Sequence, residues 1–306
     1  YTMKEKKTQT SSEYNAAIIG SGVAGMSMSL YLSRAGVDNI IIESSAPGGQ
    51  LNKIINIENY PGIPSIDGPT FAYNLYSQVN DLKVKYLSDE VNKKKKGKTY
   101  NKITTKNNTI KAKYIIIATG RSPRQLLLKN ASKLLGNGIS YCALCDGAFY
   151  KNKNVAVLGG SRSALEEALY LSAICKKVTI IHRKDHFTAE SLMINKVLAK
   201  DNIEIKYNST IVKLNSSNGK LKSIVINNNE ESIVEGLFVC IGYIPNTKFI
   251  DTVKKEDNYI IVNKNYETSN KKIYAIGDVI KKDLYQITSA TNDALTLSNY
   301  LINKVM

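Results

Sequence analysis

The sequence predicts an α/β protein of two Rossmann-like dinucleotide-binding units, each a three-layer (ββα) domain, one inserted in the other. Two observations carry this prediction: a strand, glycine turn, helix and second strand near the N-terminus, and the return of the same pattern in mid-chain. A third is length, because 306 residues accommodate two domains of ordinary size, each with its own core. No apolar run approaches the roughly 20 residues that a membrane span needs, so no membrane partner is expected and the chain is read as cytoplasmic. Residues 1–13 are polar, lack an apolar signal core, and are read as a flexible tail outside the fold.

The first unit opens with an apolar run at residues 15–19 that enters Gly20-Ser21-Gly22-Val23-Ala24-Gly25. Residues 26–34 have helical composition, and a second apolar run at 40–42 ends on Glu43. Gly20 makes the tight turn, Gly22 lets backbone approach a pyrophosphate, and Gly25 lets helix pack on strand, while the helix N-terminus attracts the anion. Glu43 stands 21 residues beyond Gly22, close to the roughly 20 at which a carboxylate meets a ribose hydroxyl.

The pattern returns as a strand at 154–158, the turn Gly159-Gly160-Ser161-Arg162-Ser163-Ala164, a helical stretch at 165–174 and a strand at 178–181. Strand-like runs at 114–118 and 237–241 close on Thr119-Gly120 and Gly242 and mark the crossovers. A run at 273–276 leads into Gly277-Asp278, and a last helical stretch covers 290–301. This tail holds no third glycine turn, so it is read as completing the first unit. The expected domains are 14–118 with 245–306, and 119–244.

The second turn departs from the first. Ser161 replaces the middle glycine, putting a side chain where backbone must approach a pyrophosphate, and Arg162 adds bulk beside it. The strand ends on His182-Arg183-Lys184 instead of an acid. Such residues hold a 2′-phosphate or form a solvated basic loop, and both readings stay open. The net charge of +16 favours an acidic partner by long-range steering. Its densest run, Lys93 to Lys96 with Lys98, reads as a hairpin tip; no aromatic is interleaved for base stacking, so no nucleic acid is expected.

The chemistry lies in Cys142-Ala143-Leu144-Cys145-Asp146, just upstream of the second turn. A C-x-x-C pair closes a small disulfide and lowers the pKa of one thiol, making thiolate available to attack another disulfide. Zinc would need four N or S ligands, and with only His182 and His186 and no second C-x-x-C the redox reading is preferred and no metal is expected. Cys175 and Cys240 read as small buried hydrophobes. Asp146 is placed to pass a proton to a leaving thiolate, or to complement a helix N-terminus. The residues themselves do not order the two thiols.

Over residues 15–301 these motifs resemble the low-molecular-weight thioredoxin reductases, whose fold is of the flavoprotein disulfide reductase type. The resemblance rests on Gly20 to Gly25, Pro47-Gly48-Gly49-Gln50-Leu51, Glu58-Asn59-Tyr60-Pro61-Gly62, Ala118-Thr119-Gly120 and Cys142 to Gly147. Glu166 to Leu171, Ile241-Gly242 with Pro245-Asn246, and Gly277-Asp278-Val279 extend it. It implies a homodimer with FAD in the first unit. The cofactor would meet Gly20, Ser21, Gly22, Ala24 and Gly25 at the turn, Glu43 at the adenosine ribose, Gly49, Gln50, Leu51 and Asn59 along its length, and Asp278 at the ribityl chain. Val91, Ala118, Gly120, Gly277, Gln286 and Ile287 would complete the contacts. It implies further that Cys145 faces the flavin, Cys142 attacks the thioredoxin disulfide, and Asp146 is the acid–base residue.

Three positions depart from the NADPH-dependent members: the broken glycine fingerprint, Thr188 as the third of three basic positions, and Tyr285 where the family usually has Arg. They count against NADPH. A branch of the family takes electrons from ferredoxin, a small acidic carrier that a chain of charge +16 would attract. The expected function is therefore a ferredoxin-dependent thioredoxin reductase. The alternatives are an NADPH-dependent one using Arg183 and Lys184, a reductase of another thioredoxin-fold carrier, and a nonenzymatic basic binding module.

Overall fold

The computed structural model describes residues 12–54, 57–95, 101–227 and 230–305. Residues 1–11 of the expected tail, and Lys96 and Lys98 of the expected hairpin tip, lie outside them; Lys93 to Lys95, expected at that tip, instead belong to strand Val91–Lys95. Residues 12 and 13, expected in the tail, instead open the first strand, Ser12–Ile19, where Glu13 pairs in register with Lys111 and forms an ion pair with it at 2.9 Å. Two compact units form, one from residues up to Ser122 together with Ile244 onward, the other from Pro123–Tyr243. Thr119 to Ser122 stay with the first unit through Asn246, which donates to the Thr119 carbonyl and accepts from the Ser122 hydroxyl.

In the first unit, Lys85–Ser88, Asn39–Glu43, Ser12–Ile19 and Thr109–Ile117 lie side by side in parallel. The long strand Thr109–Ile117 has two further partners: its C-terminal half pairs with Ile273–Ala275, and its N-terminal half with the antiparallel hairpin Val91–Lys95 and Asn101–Thr105. Parallel strands are covered on both faces, and the two-residue alternation sorts their isoleucines accordingly. Ile18, Ile41 and Ile116 face helix Val23–Arg34 and the last helix, Ile287–Val305, through Met26, Met28, Leu32, Ala294 and Leu297. Ile19, Ile42, Ile115 and Ile117 face the other way, toward Ile103, Ile250 and Ile260. The first helix begins three residues before the expected position because Gly22, in extended conformation, is its N-cap.

The second unit repeats the plan with a parallel sheet in the order Ile203–Lys206, Lys177–Ile181, Asn154–Leu158, Gly236–Val239, Ile139–Ser140. Helix Arg162–Ser172 covers one face through Leu165, Ala168 and Leu171. An antiparallel meander, Ile211–Ser217, Lys220–Ile226 and Glu230–Ile233, covers the other through Leu214, Leu221, Ile224 and Ile226. Sheet, meander and helices are the expected three layers. Among the described residues, no helix is long and apolar enough to cross a membrane.

Burial leaves an alkaline signature. Desolvation pushes the hydroxyls of Tyr86 and Tyr266 up to about 12. The proton is held more tightly in the folded state, so this stability is complete below the ordinary tyrosine value near 10 and is lost as pH rises through about 12. Urea unfolding between pH 9 and 12 should show the midpoint falling only above about pH 10; a midpoint that rises there would contradict the assignment.

Candidate functional site

Cys142 and Cys145 form a disulfide in the second unit. Strand Ile139–Ser140 delivers Cys142, which caps the short helix Ala143–Asp146. Cys142 is buried, at 6% exposure, and Cys145 is exposed. The Cys145 amide donates to Cys142 Sγ at 3.1 Å, a bond that would favour negative charge on that sulfur. A Cβ on Gly147 would lie 2.9 Å from the Tyr170 ring, so glycine there lets the cysteine turn sit against helix Arg162–Ser172.

Asp146 is held by Ser140, a buried residue whose hydroxyl donates to Asp146 Oδ2 at 2.6 Å and accepts from the Cys142 amide at 3.1 Å. Ser140 thus ties the acid to the backbone of the first cysteine. Burial pushes the Tyr150 hydroxyl up, and the Asp146 carboxylate adds to the shift. Removing the Ser140 hydroxyl should lower kcat for disulfide reduction about ten- to thirtyfold, the cost of one hydrogen bond to a charged group, with KM for the protein substrate unchanged. An equal rise in KM would mean that Ser140 shapes the docking surface instead.

The other cysteines differ from one another. Cys175 is buried as expected, its thiol pushed up to about 11 by desolvation. Cys240 packs against the core cluster as expected, but it lies one residue past Gly236–Val239 and its thiol also donates to Glu167 Oε2 at 3.1 Å. Burial, then that carboxylate, push its thiol well above its usual value. Among the described residues no group of three or more His, Cys, Asp or Glu side chains is placed to hold a metal. His182 is a core histidine, stacked on Phe187, with Nε2 against the His186 carbonyl at 3.0 Å and its pKa lowered by desolvation.

Most of the residues expected to hold a dinucleotide converge in the first unit. Gly20, at φ +104°, lies so close to Ala118 that a Cβ would sit 2.4 Å from its carbonyl oxygen. A Cβ on Gly25 would lie 1.9 Å from the Gly20 carbonyl, whereas Gly22 faces open space and its helix has no side-chain cap. Gly49 approaches Gly22, and Gly277 approaches Ala24. Leu51, Ile287 and Val23 share a small apolar cluster, and Asn59 donates to Gln286 at 3.1 Å. Gly120 takes a left-handed turn at φ +60° with nothing near its missing side chain. Val91 packs against the cluster that holds Ile19 and Ile42, and the Asp89 amide two residues before it donates to the Glu43 carbonyl.

Ser21 is buried and serves Glu43, both its amide and its hydroxyl donating to Oε2 at 2.8 and 3.0 Å, while Ser44 and Ser45 engage Oε1. Three further residues join the site. Arg121 pairs with Asp278 at 3.1 Å, Tyr86 donates to the Ser21 hydroxyl at 2.9 Å, and Asp293 accepts from the Gly277 amide, the Tyr266 hydroxyl and Lys282. Only Asp293 left a sequence signal, an acid on the apolar stripe of Ala290, Ala294, Leu297 and Leu301.

The second turn is built differently. Gly159 and Gly160 are required, since a Cβ would meet the Cys240 carbonyl and the His182 ring, each at 2.4 Å. Arg162, at the start of the helix, is bound by Glu166 and Glu190, both at 2.7 Å. The Thr188 amide donates to the Gly160 carbonyl at 2.8 Å. Arg183 and Lys184 are exposed.

Residues 14–294 match the family model described as pyridine nucleotide-disulphide oxidoreductase, which fixes the class that the two cradles and the cysteine pair define. The thioredoxin reductase of Listeria innocua is 37% identical over 287 residues, covering 92% of this chain and 90% of that one. The crystal structure of Lactococcus lactis thioredoxin reductase in its FR conformation superposes with a TM-score of 0.92 at 33% identity, over 96% of this chain and all of that one. A ferredoxin-flavin thioredoxin reductase from Clostridium acetobutylicum is more distant, at 27% identity and a TM-score of 0.53 over 96% and 98% of the two chains. The chain belongs to the thioredoxin reductase family. That family implies FAD, and the first unit fits it: an open, uncapped helix N-terminus at Gly22 with a carboxylate at the end of the adjacent strand suits a dinucleotide.

Proposed function

We propose that this chain reduces the disulfide of thioredoxin through Cys142 and Cys145, with FAD held by the first unit and ferredoxin as electron donor. The observation that carries the reading is the Cys142–Cys145 disulfide beside an acid that Ser140 holds in place. FAD, when bound, supplies the two-electron relay between donor and disulfide. Two electrons and two protons open the disulfide to a dithiol. The Cys142 thiolate, favoured by the Cys145 amide, attacks one thioredoxin sulfur and forms a mixed disulfide. Asp146 delivers a proton to the departing thiolate. Cys145 then attacks Cys142 Sγ, which releases dithiol thioredoxin and restores the disulfide. Phe149, 74% exposed in the turn that follows the cysteine helix, supports a protein as substrate. A homodimer belongs to the same reading, and sedimentation velocity tests it.

The donor reading rests on the second turn. Three carboxylates, Glu166, Glu167 and Glu190, lie at or near the helix that would face a pyrophosphate, against one guanidinium, and Ser161 fills the middle glycine position. The net charge of +16 suits an acidic protein donor. Exposed Arg183 and Lys184 favour the NADPH-dependent reading instead. Anaerobic flavin absorbance separates the two: bleaching by reduced ferredoxin but not NADPH, with thioredoxin thiols appearing, is the expected result. Rapid bleaching by NADPH would return the chain to the nicotinamide-dependent form.

A further inference from the structure

Asp278 does not stand alone at the first cradle. Arg121 Nε donates to its Oδ2 at 3.1 Å, with the two side chains only 20% and 24% exposed. The guanidinium carbon lies 4.2 Å from the centre of the Tyr285 ring. Gln50 donates to the Arg121 carbonyl at 2.6 Å, fixing the backbone from which the side chain departs. Tyr285 is itself held, its hydroxyl 3.4 Å from the Ile280 carbonyl and its ring 5.6 Å from that of Tyr259.

A half-buried carboxylate is costly without a partner, and beside a ligand carrying two phosphates its charge is repulsive as well. Arg121 removes both penalties. It engages the Asp278 carboxylate through Nε and so fixes the plane in which that group meets a hydroxyl. A planar guanidinium stacks on an aromatic face in one orientation, which a flexible ammonium would not keep. We propose that Arg121, seated on Tyr285, is the positioning residue that neutralises and orients Asp278 for the ribityl hydroxyls of FAD. This rests on the flavin reading of the first unit and adds to it two residues, Arg121 and Tyr285.

The test is FAD uptake by apoprotein prepared from the full chain, followed by quenching of flavin fluorescence, alongside thermal unfolding of the same apoprotein. Arg121→Ala is expected to raise the dissociation constant about ten- to thirtyfold, as for loss of one hydrogen bond to a charged group. The apoprotein midpoint should change little. Tyr285→Leu, which removes the ring, should bind about threefold more weakly, and Tyr285→Phe, which keeps the ring and gives up the contact to Ile280, should lose less than Tyr285→Leu. Because Arg121 acts through Asp278, Arg121→Ala should cost nothing further in an Asp278→Asn background. An unchanged constant in Arg121→Ala, or an equal loss in both backgrounds, overturns the proposal. Should Arg121→Ala fail to fold, an unchanged constant in Tyr285→Leu overturns it instead. A parent chain that takes up no FAD would remove the flavin reading itself, and this assignment with it.

Discussion

Cys145→Ser is expected to lower thioredoxin reduction by about a thousandfold or more, because the thiol that completes the exchange is gone. The same variant should leave a stable mixed disulfide between Cys142 and thioredoxin, visible on a nonreducing gel and lost on adding dithiothreitol. Cys142→Ser should be equally inactive yet trap nothing, since the sulfur that receives the Cys145 amide bond is then missing. The asymmetry orders the two thiols. Both variants should keep FAD, because every residue expected to hold it lies in the other unit. Turnover retained in either variant would sink the assignment, and trapping by Cys142→Ser alone would reverse the order.

The second large effect is expected at Asp293. Its carboxylate is 8% exposed and accepts from Lys282 Nζ at 2.8 Å, the Tyr266 hydroxyl at 2.9 Å and the Gly277 amide at 3.0 Å. Asp293→Ala strands all three donors, one of them a cation whose side chain is 14% exposed. Breaking one side of a buried ion pair costs about 3–5 kcal/mol, far more than the pair itself contributes. Thermal unfolding should fall by roughly 10 °C. Gly277 precedes Asp278, so FAD retention should fall with it. Asp293→Asn paired with Lys282→Met keeps an acceptor for Gly277 and strands no charge, and should recover most of the loss. A loss below about 1 kcal/mol in Asp293→Ala would show that solvent already satisfies these donors.

The features legible in the sequence are those whose physical requirement is local. Gly20 and Gly25 are demanded by contacts within one strand–turn–helix unit, and the two-residue alternation of the isoleucines reports sheet faces without knowledge of the partner strand. Cys142 and Cys145 carry their chemistry in their spacing. Arg121 and Asp278 are 157 positions apart, and nothing near either announces the other. Ser140 is only six residues from Asp146, yet its role arises because strand Ile139–Ser140 ends beneath the cysteine turn, a placement set by the neighbouring strand Gly236–Val239. Cys240 is legible only in part for a related reason: apolar neighbours mark its packing, but the strand stops one residue short and the thiol also meets Glu167.

The long strand Thr109–Ile117 sets the order in which the chain can be made. Its partner Ile273–Ala275 is translated only after the whole of Pro123–Tyr243 has emerged. At roughly 5–20 residues per second, that leaves the outer sheet unfinished for on the order of ten seconds or more, with the isoleucines of its central strand uncovered along one edge. The inserted unit, continuous in sequence, is complete before that edge is closed. Nascent chains of the outer unit are therefore the species that a holding chaperone would meet, and halting synthesis after Tyr243 but before Ile273 would leave a folded inner domain tethered to an aggregation-prone outer one.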